Sequence, residues 1–295
     1  MSPPAPRLWL HCTIIAYLTT LCHSQSCRDR TKWPFAPSSI WNMPIGSKAQ
    51  FHAVDVFSGS ANHPLPNNFF GDTDYWFQVY PDSPYVDWYD EGFWGPNQPY
   101  CQIVGPLQGS IQFPANTVVG NDTFGNNNAA AILQTDNITL LQMQPLYICN
   151  ANKGPLFALN WCIKEQNVSI LGDGIFGCHG GSKLSSIGGT IRKGELTDDV
   201  TVTDNIKHAL KLEFFAHQYY YGGYEYPCYR WPATACDDYH HDNSSGIVYN
   251  GTDPWFTPGA LLAVPSGVRL DLQTVPAKKI LFALQNYGGD LCDDT

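Results

Sequence analysis

Four side chains in one glycine-rich stretch, Leu171 to Leu212, are of types that do acid–base work: His179, Arg192, Glu195 and His208. A histidine moves protons near neutral pH, and a carboxylate serves as acid, base or nucleophile. A guanidinium neutralises a substrate carboxylate, which a polysaccharide lyase requires before a base can remove the C5 proton of a uronate. A glycoside hydrolase instead needs two carboxylates across the scissile bond. Glu195 supplies one; Asp173, Asp90 and Glu91 are candidates for the other. If Gly189 to Glu195 is a strand, Arg192 and Glu195 face opposite sides unless Gly194 forms a bulge. His208 sits in the apolar run IKHALKL (206–212), where a histidine serves equally as a buried hydrogen-bonder.

Other motifs in the chain suggest chemistries that their surroundings do not support. Gly172 to Gly177 reads G-x-G-x-x-G, but Cys178-His179-Gly180-Gly181 follows and cannot open the helix that a dinucleotide site needs. It reads as a turn. His179-Gly-Gly-Ser182 looks like an esterase oxyanion loop, yet no G-x-S-x-G nucleophile elbow occurs anywhere. Asp237, Asp238, His240, His241 and Asp242 include metal-ligand types, but their spacing matches no zinc motif, so a solvated loop is expected. No metal and no cofactor are expected.

A second surface suits sugars. Tyr75 to Tyr80 has strand composition, and Pro81 to Pro99 is expected to be a loop that interleaves acids with aromatics. Tyr85, Trp88, Tyr89, Asp90 and Trp94 are the candidate substrate-binding residues: rings stack on a pyranose face and carboxylates bond its hydroxyls. The competing reading is a loop folded over its own aromatic core.

The elements that must position these groups are β-rich. From Cys101 to Ile170, short apolar or β-branched runs alternate with Gly, Pro and Asn turns about every ten residues, the pattern of a sandwich or barrel. Val268 to Val275 alternates like a half-buried strand, and a short helix is expected after Pro276, ending at Gly288-Gly289. The expected fold is a mainly β, single β-sandwich or barrel-like domain over 25–295, with long aromatic-rich loops and a short C-terminal helix.

Residues 1–24 read as a secretory signal peptide: one basic residue, an apolar run from Leu8 to Leu21, then small residues before Gln25. Eight cysteines follow, an even number that suits an oxidising compartment: Cys27, Cys101, Cys149, Cys162, Cys178, Cys228, Cys236 and Cys292. Cys228 with Cys236, close in sequence, and Cys27 with Cys292, near the two mature ends that compact domains often bring together, are the two suggested pairings. Asn121, Asn137, Asn167, Asn243 and Asn250 begin glycosylation sequons. A formal charge of −10 argues against a nucleic-acid partner, which needs a basic stripe. No span remains to hold the chain in a membrane after signal cleavage.

Several blocks carry a resemblance: WPFAPSSIWNMPIG (33–46), HGGSKLSSIGGTIRKGEL (179–196), IKHALKL (206–212), RWPAT (230–234), PGALLAVP (258–265) and ILFALQNYGGDLCDDT (280–295). The chain resembles a functionally unassigned family of secreted bacterial and eukaryotic proteins. The resemblance implies secretion, a single domain and a polysaccharide context, and brings no chemistry with it. It also implies that similar sequences carry a non-cysteine residue at the position of Cys178 and vary in the Cys236 to Asn250 loop.

Together these readings give a secreted, extracellular carbohydrate-active protein, a polysaccharide hydrolase or lyase, with a glycan as its partner. The alternative is a non-catalytic glycan-binding or matrix protein that uses the 75–94 aromatics. The two are separated by whether His179, Glu195 and His208 converge.

Overall fold

The computed structural model describes residues 29–54, 71–90, 101–119, 127–151, 153–159, 168–199, 204–242 and 248–294. The chain divides into Met1–Pro34 and Phe35–Thr295. In the first unit, the described residues 29–34 form a turn in which Thr31 donates to the Asp29 carboxylate from both N–H and Oγ. The second unit holds the sheets.

The second unit is mainly β. In chain order the strands are β1 (Tyr75–Gln78), β2 (Tyr85–Asp90), β3 (Leu107–Gln112), β4 (Ala130–Leu133), β5 (Thr139–Met143), β6 (Tyr147–Ile148) and β7 (Leu156–Ala158). They continue with β8 (Val168–Ser169), β9 (Phe176–His179), β10 (Leu210–Glu213), β11 (Leu261–Leu262) and β12 (Gly289–Asp293). One helical turn, α1 (Ala216–Tyr219), follows β10, and the helix α2 (Val275–Asn286) precedes β12. Among the described residues the strands build three mixed sheets, ordered β1-β4-β5-β8, β3-β2-β7-β6 and β10-β12-β11, and no barrel closes.

The first sheet is central because both of its faces are apolar. In β4, Ala130 and Ile132 face one way and pack with Val86, Trp88, Phe113, Met143 and Leu156, a core shared with the second sheet. Ala131 and Leu133 face the other way, onto Trp41, Leu140, Ile170, Leu184 and Cys292. A strand covered on both faces reads as a continuous apolar run, and AAIL does. The sandwich expectation therefore holds for the first two sheets.

Helix α2 forms as expected. Thr274 caps it by accepting from the Ala277 N–H, Pro276 occupies its first turn, and Gly288 turns the chain out at φ 77°. Ala283 packs on Leu210 with Ile280 and Leu284 alongside, so α2 covers one face of β10. Lys211 and Glu213, on the alternate positions of β10, are left for the opposite face.

Two local expectations are corrected. Tyr85 to Asp90 is strand rather than loop: Val86 and Trp88 point inward and Tyr85 and Asp87 outward, the period that the sequence YVDWYD carries. Val268 to Val275 forms no strand, and Val268 and Leu270 are exposed. Instead of pairing with a strand, this segment is tied to α2, where Gln285 Nε2 donates to the Val268 carbonyl.

The disulfides are partly as expected. Cys228 pairs with Cys236, Cys101 pairs with Cys149, and Cys178 is also disulfide-bonded. The Cys27–Cys292 pairing is wrong: Cys292 is a free, buried thiol on β12. Apolar packing against Trp41 and Leu140 explains its presence there. Cys27 and Cys162 lie outside the described residues. Among those described, no helix is long and apolar enough to cross a membrane.

Candidate functional site

The four candidate catalytic residues separate into two clusters: His179 does not meet Glu195 and His208, so the convergence that would favour catalysis by these three does not occur. In the first, Glu195 is placed by a turn rather than a strand. The chain reverses at Gly194, φ 95°, and the Glu195 N–H donates to the Arg192 carbonyl. The side chain folds back to accept from the Arg192 N–H at 2.6 Å and from its guanidinium at 3.3 Å. The strand geometry that would have split this pair is absent, because glycine at positive φ lets the chain turn instead.

His208 completes that cluster. Its Nε2 lies 3.1 Å from Glu195 Oε2 and its Nδ1 donates to the Ala209 carbonyl at 2.7 Å. An acceptor faces each nitrogen, so both are satisfied when both carry protons. The ring is sealed, with 1% of its surface exposed. Burial alone would raise the Glu195 pKa, but the hydrogen bond from His208, its charge, and the Arg192 N–H and guanidinium together hold it below the ordinary carboxylate range. This arrangement is a latch between the 192–196 turn and the start of β10.

His179 lies in the second cluster. It ends β9, and the chain turns at once through Gly180, φ 56°, and Gly181. Ser182 closes this turn by donating from Oγ to the His179 carbonyl at 3.1 Å. Ser182 is fully buried, which leaves it no role as a nucleophile. Both glycines are required by what lies against them. A Cβ on Gly180 would stand 1.9 Å from Asp293 Cγ, and one on Gly181 would stand 2.5 Å from Asp237 Cγ.

Around this turn gather carboxylates from distant parts of the chain. Asp72 and Asp74 enter from the segment before β1, Glu213 from the end of β10, Asp237 from the loop after the Cys228–Cys236 disulfide, and Asp293 from the end of β12. Asp293 accepts from the Gly181 N–H at 3.1 Å and from Asn127 Nδ2 at 2.6 Å. Asp237 accepts from the Tyr249 hydroxyl. Lys211 is committed to Asp74, at 2.9 Å, and to the Ser186 carbonyl.

His179 Nε2 approaches Glu213 Oε1 at 3.3 Å and Asp72 Oδ2 at 3.7 Å. The ring is fully buried, and neither nitrogen makes a hydrogen bond to any described residue. Burial, reinforced by the Lys211 charge, pushes its pKa down to about 3, so the ring is neutral. Burial has the opposite effect on the acids. It pushes Glu213 up to about 8, with the Asp72 charge adding to it, and Asp72 up to about 6. Asp293 and Asp237 are also raised, first by burial. Proton-bearing and ionised carboxyl groups therefore stand side by side. Glu213 and Asp237 keep part of their surface exposed, so the cluster opens to solvent at that edge.

The other candidates are dispersed. Trp88 is buried in the core between the first two sheets, turned away from any ligand. Tyr85 is exposed on β2, Tyr89 and Asp90 are half-buried beside it, and Trp94 lies outside the described residues. Asn137 and Asn250 are exposed, while Asn121, Asn167 and Asn243 lie outside the described residues. The 237–242 loop is not simply solvated, since Asp237 turns inward. His241 stacks on Tyr224 with ring centroids 4.0 Å apart. His240 stands near Cys228 and Cys236, whose disulfide removes them as metal ligands.

Sequence reasoning passed over Asp72, Glu213, Asp237 and Asp293 as a group, since they are separated by up to 221 positions. It also passed over Tyr224, Tyr226, Tyr229, Trp231 and Trp255, which are exposed aromatics on or beside the chain that leads into Asp237. The Arg230 guanidinium lies over the Trp255 ring at 4.7 Å. The cue available in the sequence was the aromatic run FFAHQYYYGGYEYPCYRWP, which carries more rings than one core needs.

Compared with protein-family models, with curated proteins and with solved structures, the chain finds no match in any of the three.

Proposed function

We propose that this chain is a secreted carbohydrate-active protein that cleaves a polysaccharide at the carboxyl cluster around His179. The observation that carries this reading is the cluster itself. Asp72 and Glu213 stand against the buried His179 imidazole and Asp237 and Asp293 against the Gly180-Gly181 turn; burial raises all four carboxyls, Asp72 to about 6 and Glu213 to about 8, so a proton donor and a carboxylate adjoin near neutral pH. Glycoside cleavage needs that combination: one carboxyl to protonate the leaving oxygen and one carboxylate to assist on the other side.

The exposed aromatics support a glycan as the substrate. Tyr224, Tyr229 and Trp231 lie on the chain that runs through the Cys228–Cys236 loop into Asp237. Rings held by a short disulfide loop give a sugar a stacking surface with little ordering cost. Within this reading His208 and Glu195 are positioning residues: they fix the start of β10, which carries Glu213. The disulfides and the exposed sequon asparagines suit an extracellular compartment.

A panel of neutral and uronate-containing polysaccharides tests the proposal, read for new reducing ends and for the absorbance of unsaturated uronates. Turnover by wild type that falls at least ~100-fold in a folded Glu213→Gln variant supports it. Binding of a glycan with no turnover would instead favour a non-catalytic glycan-binding protein, for which the same aromatics provide the surface.

A further inference from the structure

We propose that Asp72, His179 and Glu213 bind one divalent cation of the Mn2+ or Zn2+ kind. The three donors come from three separate segments, and their ligand atoms all lie within 4.8 Å of one another. The closer separations fit an ion between them. Two ligands each ~2.1 Å from a tetrahedral ion stand roughly 3.4 Å apart. Nε2 of His179 lies 3.3 Å from Glu213 Oε1 and 3.7 Å from Asp72 Oδ2.

A second observation points the same way without relying on the acids. His179 has none of its surface exposed, and neither ring nitrogen finds a hydrogen bond among the described residues. Leaving such a buried group unsatisfied destabilises the fold. Its Nε2 nevertheless faces two carboxylate oxygens, Glu213 Oε1 within hydrogen-bond distance and Asp72 Oδ2 just beyond it. A ring held toward two anions without bonding either is arranged for a shared third partner.

The surroundings favour a cation. Lys211 is taken by Asp74, and Asp237 and Asp293 add their carboxyls on the far side of the Gly180-Gly181 turn. Asp72 Oδ2 also accepts the Asn127 N–H at 3.0 Å, which fixes the direction of that carboxylate. The donor types narrow the ion. An imidazole beside two carboxylates suits Mn2+ or Zn2+ better than Mg2+ or Ca2+, which prefer all-oxygen sites, and better than Cu(I), which prefers sulfur. This site is the centre assigned above to carbohydrate cleavage, so its use rests on that reading, but its occupancy can be measured with no glycan present.

The test uses the full chain secreted from eukaryotic cells, stripped with EDTA, freed of chelator and titrated calorimetrically with MnCl2 and, separately, with ZnCl2. The expected result is one ion per chain, bound at least ~30-fold more weakly by Glu213→Gln and by His179→Gln. Wild type alone gives a second readout if the variants fail to fold: the aqueous Mn2+ resonance disappears in one-to-one proportion, and the melting temperature rises with the ion. Absence of stoichiometric binding by wild type overturns the site, as does unchanged binding by folded variants. Ion binding without turnover of any glycan supports the site and removes the cleavage reading. Turnover by a chain that binds no ion does the reverse.

Discussion

Glu213 Oε1 stands 3.3 Å from His179 Nε2, and no hydrogen bond joins them. Glu213 is brought there by strand alternation: Leu210 and Leu212 turn toward α2, so Lys211 and Glu213 turn toward the carboxyl cluster. His179 is brought there by the two glycines that follow it, which let β9 end against Asp293 and Asp237.

The glycine turn gives the first prediction. Gly180→Ala adds a Cβ at a left-handed backbone position and 1.9 Å from the Asp293 carboxyl carbon. It is expected to cost at least about 2–3 kcal/mol in chemical denaturation, because both strain and overpacking apply. Gly46→Ala, where a Cβ meets nothing within 4 Å, is the control and should lie within about 0.5 kcal/mol of wild type. Equal behaviour of the two variants would show that the turn tolerates a side chain.

Glu195 and His208 give a prediction with a pH sign. The Glu195 pKa is held below its ordinary value of 4.5 in the folded chain. Its contribution is therefore present above that ordinary value and is lost as pH falls through the folded one. Glu195→Gln should lose about 1–3 kcal/mol near neutral pH, the range for a hydrogen bond to a charged group, with the gap closing as pH falls below 4.5 and through the lowered folded value. A gap that stays constant over that interval would mean that the latch is not ionic.

Asp290 should behave in the opposite sense. It is buried on β12, its Oδ2 has no hydrogen bond among the described residues, and burial pushes its pKa up to about 8 from an ordinary 3.8. A carboxyl whose folded pKa is raised destabilises the fold progressively as pH rises from the ordinary value to the raised one. Asp290→Asn is expected to raise the melting temperature at about pH 9, with a gain on the order of several kcal/mol, and to change it little at about pH 3. No gain at high pH would place a partner on that carboxylate.

The aromatic surface can be tested without touching the carboxyl cluster. Trp231 is 71% exposed, so Trp231→Ala should leave the melting temperature within about a degree or two. Its affinity for a bound oligosaccharide, measured by calorimetry, should fall roughly tenfold, as expected when a stacking ring is lost. Unchanged affinity would remove this surface from the binding reading.

The fold class was legible because the local signals agreed: short apolar runs, regular turns, and a Pro276 start and Gly-Gly end for α2. The strand β2 was missed for a physical reason. Its acids and aromatics look like a binding loop, yet Val86 and Trp88 alternate with Asp87 and Tyr89, and the alternation governed the structure. The candidate site was half legible. His208, Glu195 and Arg192 do meet, through a turn that the Gly194 position allows. His179 was singled out, but its partners Asp72 and Glu213 are 107 positions before it and 34 after it, and pairing at that distance is set by tertiary packing rather than by any local pattern. The same distance hid Asp293 from the Gly180 that makes room for it.

Diffraction from crystals grown with Mn2+, recorded where that ion scatters anomalously, tests most directly whether His179, Asp72 and Glu213 form one centre. The expected result is a single strong anomalous peak between His179 Nε2, Glu213 Oε1 and Asp72 Oδ2, about 2.0–2.3 Å from each. A map with no peak there, and with an ordinary hydrogen bond from His179 to Glu213 in its place, would contradict it.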